Sequence, residues 1–155
     1  MKLAEALALR ADAVRRVEQL RARVVGSARF QEGEEPAEDA ASLLAEAGEV
    51  LGEYESLIRR INRTNAVSSI GADGTLTDAL ARRDVLRLRH SVLIDAADAA
   101  AGKHGGYVRQ LRSELKMLSA LPVADLRRQA DAVSRDLREL DVRIQRANWE
   151  VDLVD

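Results

Sequence analysis

The chain has 155 residues and a formal net charge of −2, with 24 basic and 26 acidic side chains, and it contains no cysteine. This balance lacks the basic excess of a nucleic-acid-binding protein, and without cysteine there are no disulfide bonds or thiolate metal ligands. Hydrophobic residues make up 46% of the sequence but aromatic ones only 3%, so we expect an aliphatic core between closely packed helices.

No segment indicates export or insertion into a membrane. The apolar residues of the opening stretch MKLAEALALRAD are interrupted by Glu5, Arg10 and Asp12, which is not typical of a signal peptide. No apolar run approaches the roughly 20 residues of a membrane span. The sequence therefore predicts a single helical domain over residues 1–155, located in the cytoplasm, with no membrane or nucleic-acid partner.

Apolar residues recur at helical spacing through the first half of the chain. The first helix is predicted over residues 2–25, with Gly26 ending it. The second, at about 38–65, has an apolar face three-sevenths wide, because two lines of residues run side by side along it. These lines are Leu43, Ala47, Val50, Tyr54, Leu57 and Ile61, and next to them Leu44, Leu51 and Ile58.

Two further helices are predicted in the second half. Thr75 or Thr77 is expected to cap the third, which runs to about residue 101 and carries an apolar line that includes Val85, Leu88 and Val92. Pro122 opens the last helix, whose apolar line continues for more than three heptads. Because the apolar faces of the second and last helices exceed what one neighbour covers, we expect a homo-oligomer with closed symmetry.

The predicted fold class is mainly α, an antiparallel bundle of three long helices with shorter elements. One of the shorter elements is a helix at 107–112. A small two-stranded antiparallel β ribbon between residues 27–31 and 114–123 is a further option, although an isolated ribbon is only marginally stable without helices or a partner subunit behind it.

An acidic segment precedes the second helix. Carboxylates and a proline in the first turn favour the positive end of a helix dipole, so the segment is interpreted as a helix start. A divalent-cation site is the alternative, but the spacing matches no known calcium-binding loop. The segment contains Glu32, Gly33, Glu34, Glu35, Pro36, Glu38 and Asp39.

The most specific polar chemistry lies between residues 61 and 93. The polar groups at the end of the second helix are interpreted as capping groups, and those on the third helix as a solvated ladder of ion pairs. The alternatives are a small polar pocket, a polar interface between two chains, or an Asp–His–Arg catalytic site. The candidate site residues are Asn62, Arg63, Thr64, Asn65, Asp84, Arg87 and His90.

The sequence contains no motif that carries a known mechanism. It has no phosphate-binding glycine loop, zinc-protease histidine pair or nucleophile elbow. The two histidines, His90 and His104, are far apart, and neither follows a glutamate by three residues as in di-iron bundles. We therefore assign no catalytic residue, cofactor or metal ligand, and a non-enzymatic protein is the preferred interpretation.

Several segments together resemble a family of small bacterial proteins labelled septicolysin. They are KLAEALALRAD, QEGEEPAED, INRTN, TLTDALARRDVLRLR and RELDVRIQRANWEVDL. The resemblance covers nearly the whole chain and implies one helical domain. The label implies a pore-forming cytolysin, and the resemblance brings no catalytic residues with it.

Three classes of function follow from these observations. The preferred class is a non-enzymatic, oligomeric protein of the cytoplasm with a structural or interaction role and no identified ligand. The second is a small-ligand-binding protein or enzyme whose polar site lies between subunits, at the seven candidate residues. The third is a membrane-active cytolysin, as the resemblance implies.

Overall fold

The computed structural model describes residues 1–103 and 115–155, which are mainly helical as predicted. The described residues form two compact units, one of residues 1–69 and 145–155 and the other of residues 70–144. The long helices are α1 (Leu3–Ser27), α2 (Ala40–Val67), α3 (Leu76–Ala100) and α4 (Val123–Glu150), and a short 3₁₀ turn lies at Gly71–Asp73.

In the first unit, α1 and α2 pack antiparallel. Arg16 near the middle of α1 donates to Glu46 over 2.7 Å, and Arg23 near its end donates to Glu38, just before α2, over 2.9 Å. Leu20 packs in a buried cluster with two residues of α2. The apolar stripes of the two helices therefore form the core of this unit, and charged pairs lie at its exposed edge.

The C-terminal segment lies against the start of α1. The backbone N–H of Leu3 donates to the Val151 carbonyl over 3.0 Å, and that of Leu153 donates to the Met1 carbonyl over 2.9 Å. The Lys2 Nζ lies 2.9 Å from a carboxylate oxygen of Asp152. A short antiparallel bridge therefore joins residues from the two ends of the chain.

In the second unit, α3 and residues 123–144 of α4 lie antiparallel. Arg127 near the start of α4 donates to Asp98 near the end of α3 over 3.2 Å, whereas Arg83 near the start of α3 faces Asp141. The apolar line predicted for the last helix is largely buried. The buried residues of these two stretches are Leu76, Ala79, Leu86, Ala97, Ala130, Val133, Leu140 and Ile144.

Thr75, one of the two threonines predicted to cap α3, is the N-cap of this helix. The Thr75 hydroxyl accepts from the Asp78 backbone N–H over 3.2 Å, and the Thr75 backbone N–H donates to the Asp78 carboxylate over 2.9 Å. Gly74 precedes this capping box with a φ of 82°, and a Cβ there would lie 2.6 Å from the Asp78 carboxylate. Glycine is therefore required both for the backbone conformation and for space.

Two features of the predicted fold are corrected. The predicted bundle has three long helices, whereas the described residues contain four. Both helices of the second half of the chain, at 76–100 and 123–150, extend over more than six turns. The described residues contain no β strand; Ser27 completes the last turn of α1 instead of opening a ribbon, and residues 115–121 are irregular. The predicted helix at 107–112, residue 114 of the ribbon and His104 lie outside the described residues.

Candidate functional site

The polar residues predicted on α3 lie beside a charged group of α4. The Arg87 guanidinium is 4.0 Å from Asp84 on its own helix and 3.9 Å from Asp141 on α4. Arg83 is 3.8 Å from both of these carboxylates. At these separations the charges attract each other without short direct hydrogen bonds. The structure thus brings Asp84 and Arg87 together in a loose four-charge network.

Arg83 is the least satisfied member of this network. Its side chain is mostly buried, and its Nε is the one buried side-chain nitrogen or oxygen without a hydrogen-bond partner in the part of the chain that the structure describes. Leaving a buried donor unpaired costs free energy, typically about 1–3 kcal/mol. The network therefore has an unused donor between the two helices of the second unit.

His90, the third predicted residue on α3, is half-buried one turn beyond Arg87. It forms no ion pair with Asp84 or Asp141, which lie beside Arg83 and Arg87 instead. Among residues 1–103 and 115–155, no group of three or more histidine, aspartate or glutamate side chains is placed to hold a metal ion. The described side chains of α3 thus form an ion-pair network that includes Asp84 and Arg87 but not His90.

The predicted polar residues of α2 lie in the first unit, where two of them hold the C-terminal segment. The fully buried Thr64 hydroxyl donates to the Arg60 carbonyl over 2.7 Å and accepts from the Val154 backbone N–H over 3.1 Å. Arg63 donates to the backbone carbonyl of Asp155 over 3.1 Å. These contacts give both residues a structural role.

The other two polar residues of α2 have less defined surroundings. Asn62 is exposed and Asn65 is half-buried. The four predicted residues of α2 and the three of α3 belong to different compact units of the chain. Sequence reasoning placed all seven in one candidate site, and that grouping stays a prediction.

Sequence reasoning missed a more completely paired carboxylate. Asp73, in the 3₁₀ turn before α3, is only 6% exposed and lies between two arginines. Arg82 donates to its Oδ1 over 2.9 Å and Arg143 donates to its Oδ2 over 2.7 Å. The sequence shows Asp73 only as part of a turn, because one partner lies 70 positions away. Its pairing gives it a structural role.

Only the end of the acidic segment acts as a helix start, because Asp39 is the N-cap of α2, whereas Pro36 precedes the helix and no carboxylate lies in its first turn. Asp39 accepts from the Ala41 backbone N–H at the beginning of α2. The pKa of Asp39 is lowered, first by the hydrogen bond from the Ser42 hydroxyl and then by that from Ala41. A hydrogen bond from Arg23 likewise lowers the pKa of Glu38. These two carboxylates are thus occupied by protein groups.

Among the open grooves on the described surface, one in each unit bears on the candidate residues and the exposed helix faces. A groove of about 490 Å³ at the end of α2 is lined by three arginines, which contact Glu55 and the C-terminal segment. A groove of about 600 Å³ between α3 and α4 is mostly apolar. The second is lined by Val85, Leu88, Arg89, Val92, Leu93, Gln129, Ala132 and Val133.

The fold and the polar groups define a mainly α protein in which most charged groups of the candidate site pair with one another. Over residues 10–153 the sequence matches the family of unknown function DUF6847, and the chain belongs to this family. No match was found among curated proteins.

A solved structure with the same fold is described as that of a functionally unknown conserved protein from Corynebacterium diphtheriae. It is 39% identical to this chain, with a TM-score of 0.87, and the alignment covers 99% of each chain. Neither this structure nor the matching family carries the septicolysin label. The resemblance is therefore supported at the level of a helical family of unknown function.

Proposed function

We propose that this protein is a non-enzymatic, oligomeric helical protein of the cytoplasm with a structural or interaction role. The observation that supports the proposal is that apolar residues at helical spacing are exposed on two long helices, α2 and α3. Side chains of this size are usually buried in a folded chain, and when aligned along one face they are typical of a surface that meets another protein.

On α2, only part of the wide apolar face is covered. Leu43 and Val50 are buried, whereas Leu44 and Leu51, one position further along, are 64% and 49% exposed. The second line is thus left largely open to solvent at Leu44 and Leu51. A partner helix is the natural cover for such a line, since two leucines and the groups around them would leave water together.

On α3, the exposed line is longer. Val85, Leu88 and Val92 are 56%, 68% and 66% exposed and follow one another by three and four positions. Leu86, in contrast, is buried against the chain's own core. The exposed apolar line that the sequence marks on this helix is therefore not the line that stabilises the second unit, and its regular helical spacing needs another explanation, which association supplies.

One observation favours the alternative of a ligand-binding or catalytic site between subunits. The buried Arg83 Nε has no hydrogen-bond partner within the described residues, and the ion pairs around it are long. An acidic group from a second chain or a small anion would satisfy this donor. We rank this alternative second because the charges of Arg83 and Arg87 are already balanced by those of Asp84 and Asp141 in the network.

The cytolysin function that the septicolysin resemblance implies is ranked third. None of the helices in the described part of the chain is both long enough and apolar enough to cross a bilayer. Release of a dye from liposomes tests this function directly. Dye release that rises with protein concentration would support the cytolysin function and contradict the structural or interaction role proposed above.

The proposal is tested by native mass spectrometry on wild type and on the double variant Leu88→Glu, Val92→Glu. Both residues are exposed, so the variant is expected to keep its helical circular dichroism and lose the oligomer. A matched control is Val142→Glu, since Val142 is also exposed but lies on α4. Leu140 is unsuitable because it is buried within the chain and its substitution would unfold the protein.

The outcomes of this experiment separate the functional classes. An oligomer without excess mass supports the structural or interaction role. An oligomer that carries a stoichiometric small molecule favours the site between subunits. A monomer at every concentration up to the solubility limit would overturn the proposal.

A further inference from the structure

Helix α3 has apolar residues on two opposite faces. Leu86 and Ala97 are buried, and His90 on the same side is half-buried. Val85, Leu88 and Val92 point away from this side and remain exposed. The inward face contributes to the core of the second unit, and the outward residues line one wall of the open groove between α3 and α4.

The outward residues have the pattern of a two-stranded coiled coil. If Val85 is assigned to heptad position a, Leu88 falls at d and Val92 at the next a. β-branched residues at a with leucine at d favour two parallel helices, because the side chains at a and d then fit into the holes of the facing helix. Ala81, at the preceding d position, continues this seam toward the start of α3.

The charges beside the seam favour the same orientation. Asp84 occupies the g position before Val85, and Arg89 occupies the e position after Leu88; both are exposed. In a parallel pair, a g residue meets the e residue of the following heptad on the other helix, so each Asp84 would meet the partner's Arg89. An antiparallel pair would instead bring the two Arg89 side chains together, and like charges repel.

We propose that a second copy of this chain covers the exposed face of α3, through a parallel two-fold pairing of α3 with α3. The seam consists of Ala81, Val85, Leu88 and Val92, and Asp84 pairs with the partner's Arg89 on both sides. The proposal rests on the oligomer proposed above and specifies which surface forms it. Twofold symmetry closes this contact, so it yields a dimer.

The seam residues Val85, Leu88 and Val92 form one wall of the groove between α3 and α4, so the groove enlarges the contact. Ala132 and Gln129 of α4 form its other wall, and it offers about 600 Å³ of open space. When the partner's α3 packs along this α3, the side chains that flank the partner's seam would lie near Ala132 and Gln129. Each copy would thus contribute two helices, and the contact would be a four-helix arrangement built from two α3–α4 pairs.

Asp95 limits the length of the seam. It occupies the d position after Val92, where a parallel pair places it next to its own copy, and two facing carboxylates repel each other. The apolar contact is therefore short, about two heptads. We expect reversible dimerisation, and Asp95→Leu should extend the seam and tighten the dimer by about tenfold, which is the effect of about 1.4 kcal/mol.

Disulfide cross-linking tests the orientation, since the wild-type chain contains no cysteine. In a parallel pair, Val85→Cys and Val92→Cys each face their own copy, and both single variants are expected to form disulfide-linked dimers under mild oxidation. The two positions are roughly 10 Å apart along the helix, so an antiparallel pair can link at most one of them. Val142→Cys, exposed on α4, is the matched control.

Charge exchange provides a second test in the Val85→Cys background. Asp84→Arg should reduce the yield of linked dimer severalfold by facing the partner's Arg89. Adding Arg89→Asp should restore it, which a merely structural effect of Asp84 would not do. Circular dichroism of each variant verifies that α3 is intact.

Each outcome has a defined meaning. Linking of both single variants but not of Val142→Cys, together with rescue by charge exchange, supports the parallel seam. The parallel seam is contradicted if native mass spectrometry shows an oligomer but one of the two seam variants forms no disulfide-linked dimer. It is also contradicted if the Val142→Cys control forms as much linked dimer as the seam variants. In both cases the oligomer proposal stands. If wild type is monomeric at every concentration, both proposals are overturned.

Discussion

Asp73 and Arg143 are 70 positions apart in the sequence, yet the Arg143 Nε lies 2.7 Å from the Asp73 Oδ2. The other carboxylate oxygen of Asp73 accepts from Arg82 over 2.9 Å. The contact ties the turn before α3 to the far part of α4 within the second unit. Asp73 is almost completely buried whereas its partners are partly exposed, so the carboxylate depends on these arginines to replace water.

Removal of this carboxylate should destabilise the second unit. Asp73→Ala leaves two arginines without their partner, and we expect the free energy of unfolding to fall by about 2 kcal/mol. This is less than for a fully buried pair because both guanidinium groups reach water. Urea denaturation followed by circular dichroism measures this change. Glu139→Ala removes an exposed carboxylate on α4 and serves as control; equal effects of the two variants would contradict the role of Asp73.

Thr64 should contribute through its hydroxyl and not through its size. In Thr64→Val the methyl groups fill the same buried space, but the Val154 backbone N–H loses its acceptor. We expect a loss of about 1–2 kcal/mol and faster hydrogen exchange at Val154. Thr64→Ser keeps the hydroxyl and should preserve the protection of that amide even if packing weakens. Unchanged exchange at Val154 in the valine variant would be inconsistent with this role.

Two glycines should respond to alanine in opposite directions. Gly74→Ala forces a residue with a side chain into positive φ and against the Asp78 carboxylate, so it should destabilise by about 2 kcal/mol through strain and loss of the capping box. Gly48 lies inside α2, where an added Cβ meets nothing within 4 Å. Gly48→Ala should therefore stabilise by about 1 kcal/mol.

Thermal unfolding of both glycine variants measures these effects. If both variants were destabilised and Gly48→Ala also lost the oligomer, the surface around Gly48 would have to contact another helix closely. Stabilisation of both would show that Gly74 does not constrain the turn.

Stability should fall in acid as the hydrogen-bonded carboxylates gain protons. The pKa of Asp78 is lowered by hydrogen bonds from the Thr75 backbone N–H and hydroxyl, and that of Asp152 by the hydrogen bond from Lys2. Because these pKa values are lower in the folded than in the unfolded state, the contribution is complete above the unfolded value of about 4 and is lost as pH falls through the folded value.

The melting temperature between neutral pH and pH 3 measures this dependence. Asp78→Asn should flatten the acid side of the curve relative to wild type, since it removes one of the groups responsible. Glu35→Gln, in the exposed loop before α2, removes a carboxyl group that accepts none of these hydrogen bonds and serves as control. A wild-type melting temperature that rises toward pH 3 would contradict the prediction.

The helices could be predicted closely because their signals are local. The cap of α3 was predicted to be Thr75 or Thr77, and it is Thr75. Helix α4 begins directly after Pro122. The ribbon prediction was wrong for the described residues because a short apolar alternation, such as that around Met117, has the same appearance in an irregular segment. The number of long helices was underestimated by one.

The tertiary contacts could not be predicted from the sequence. The pairing of Arg87 with Asp141 and of Asp73 with Arg143 depends on how α3 and α4 lie together, which no local spacing encodes. The pattern also could not distinguish the two apolar faces of α3. Leu86 and Leu88 are equally apolar, and only the fold determines which is buried.

The bridge between the two ends of the chain has a consequence for the kinetics of folding. The contacts of Leu3 with Val151 and of Met1 with Leu153 close a loop of nearly the whole sequence. Closing such a loop from an unfolded chain carries a larger loop-closure entropy than closing the shorter loops between neighbouring helices. We therefore expect helix pairs to form first and this bridge last, so substitutions at Leu3 should accelerate unfolding and leave the refolding rate nearly unchanged.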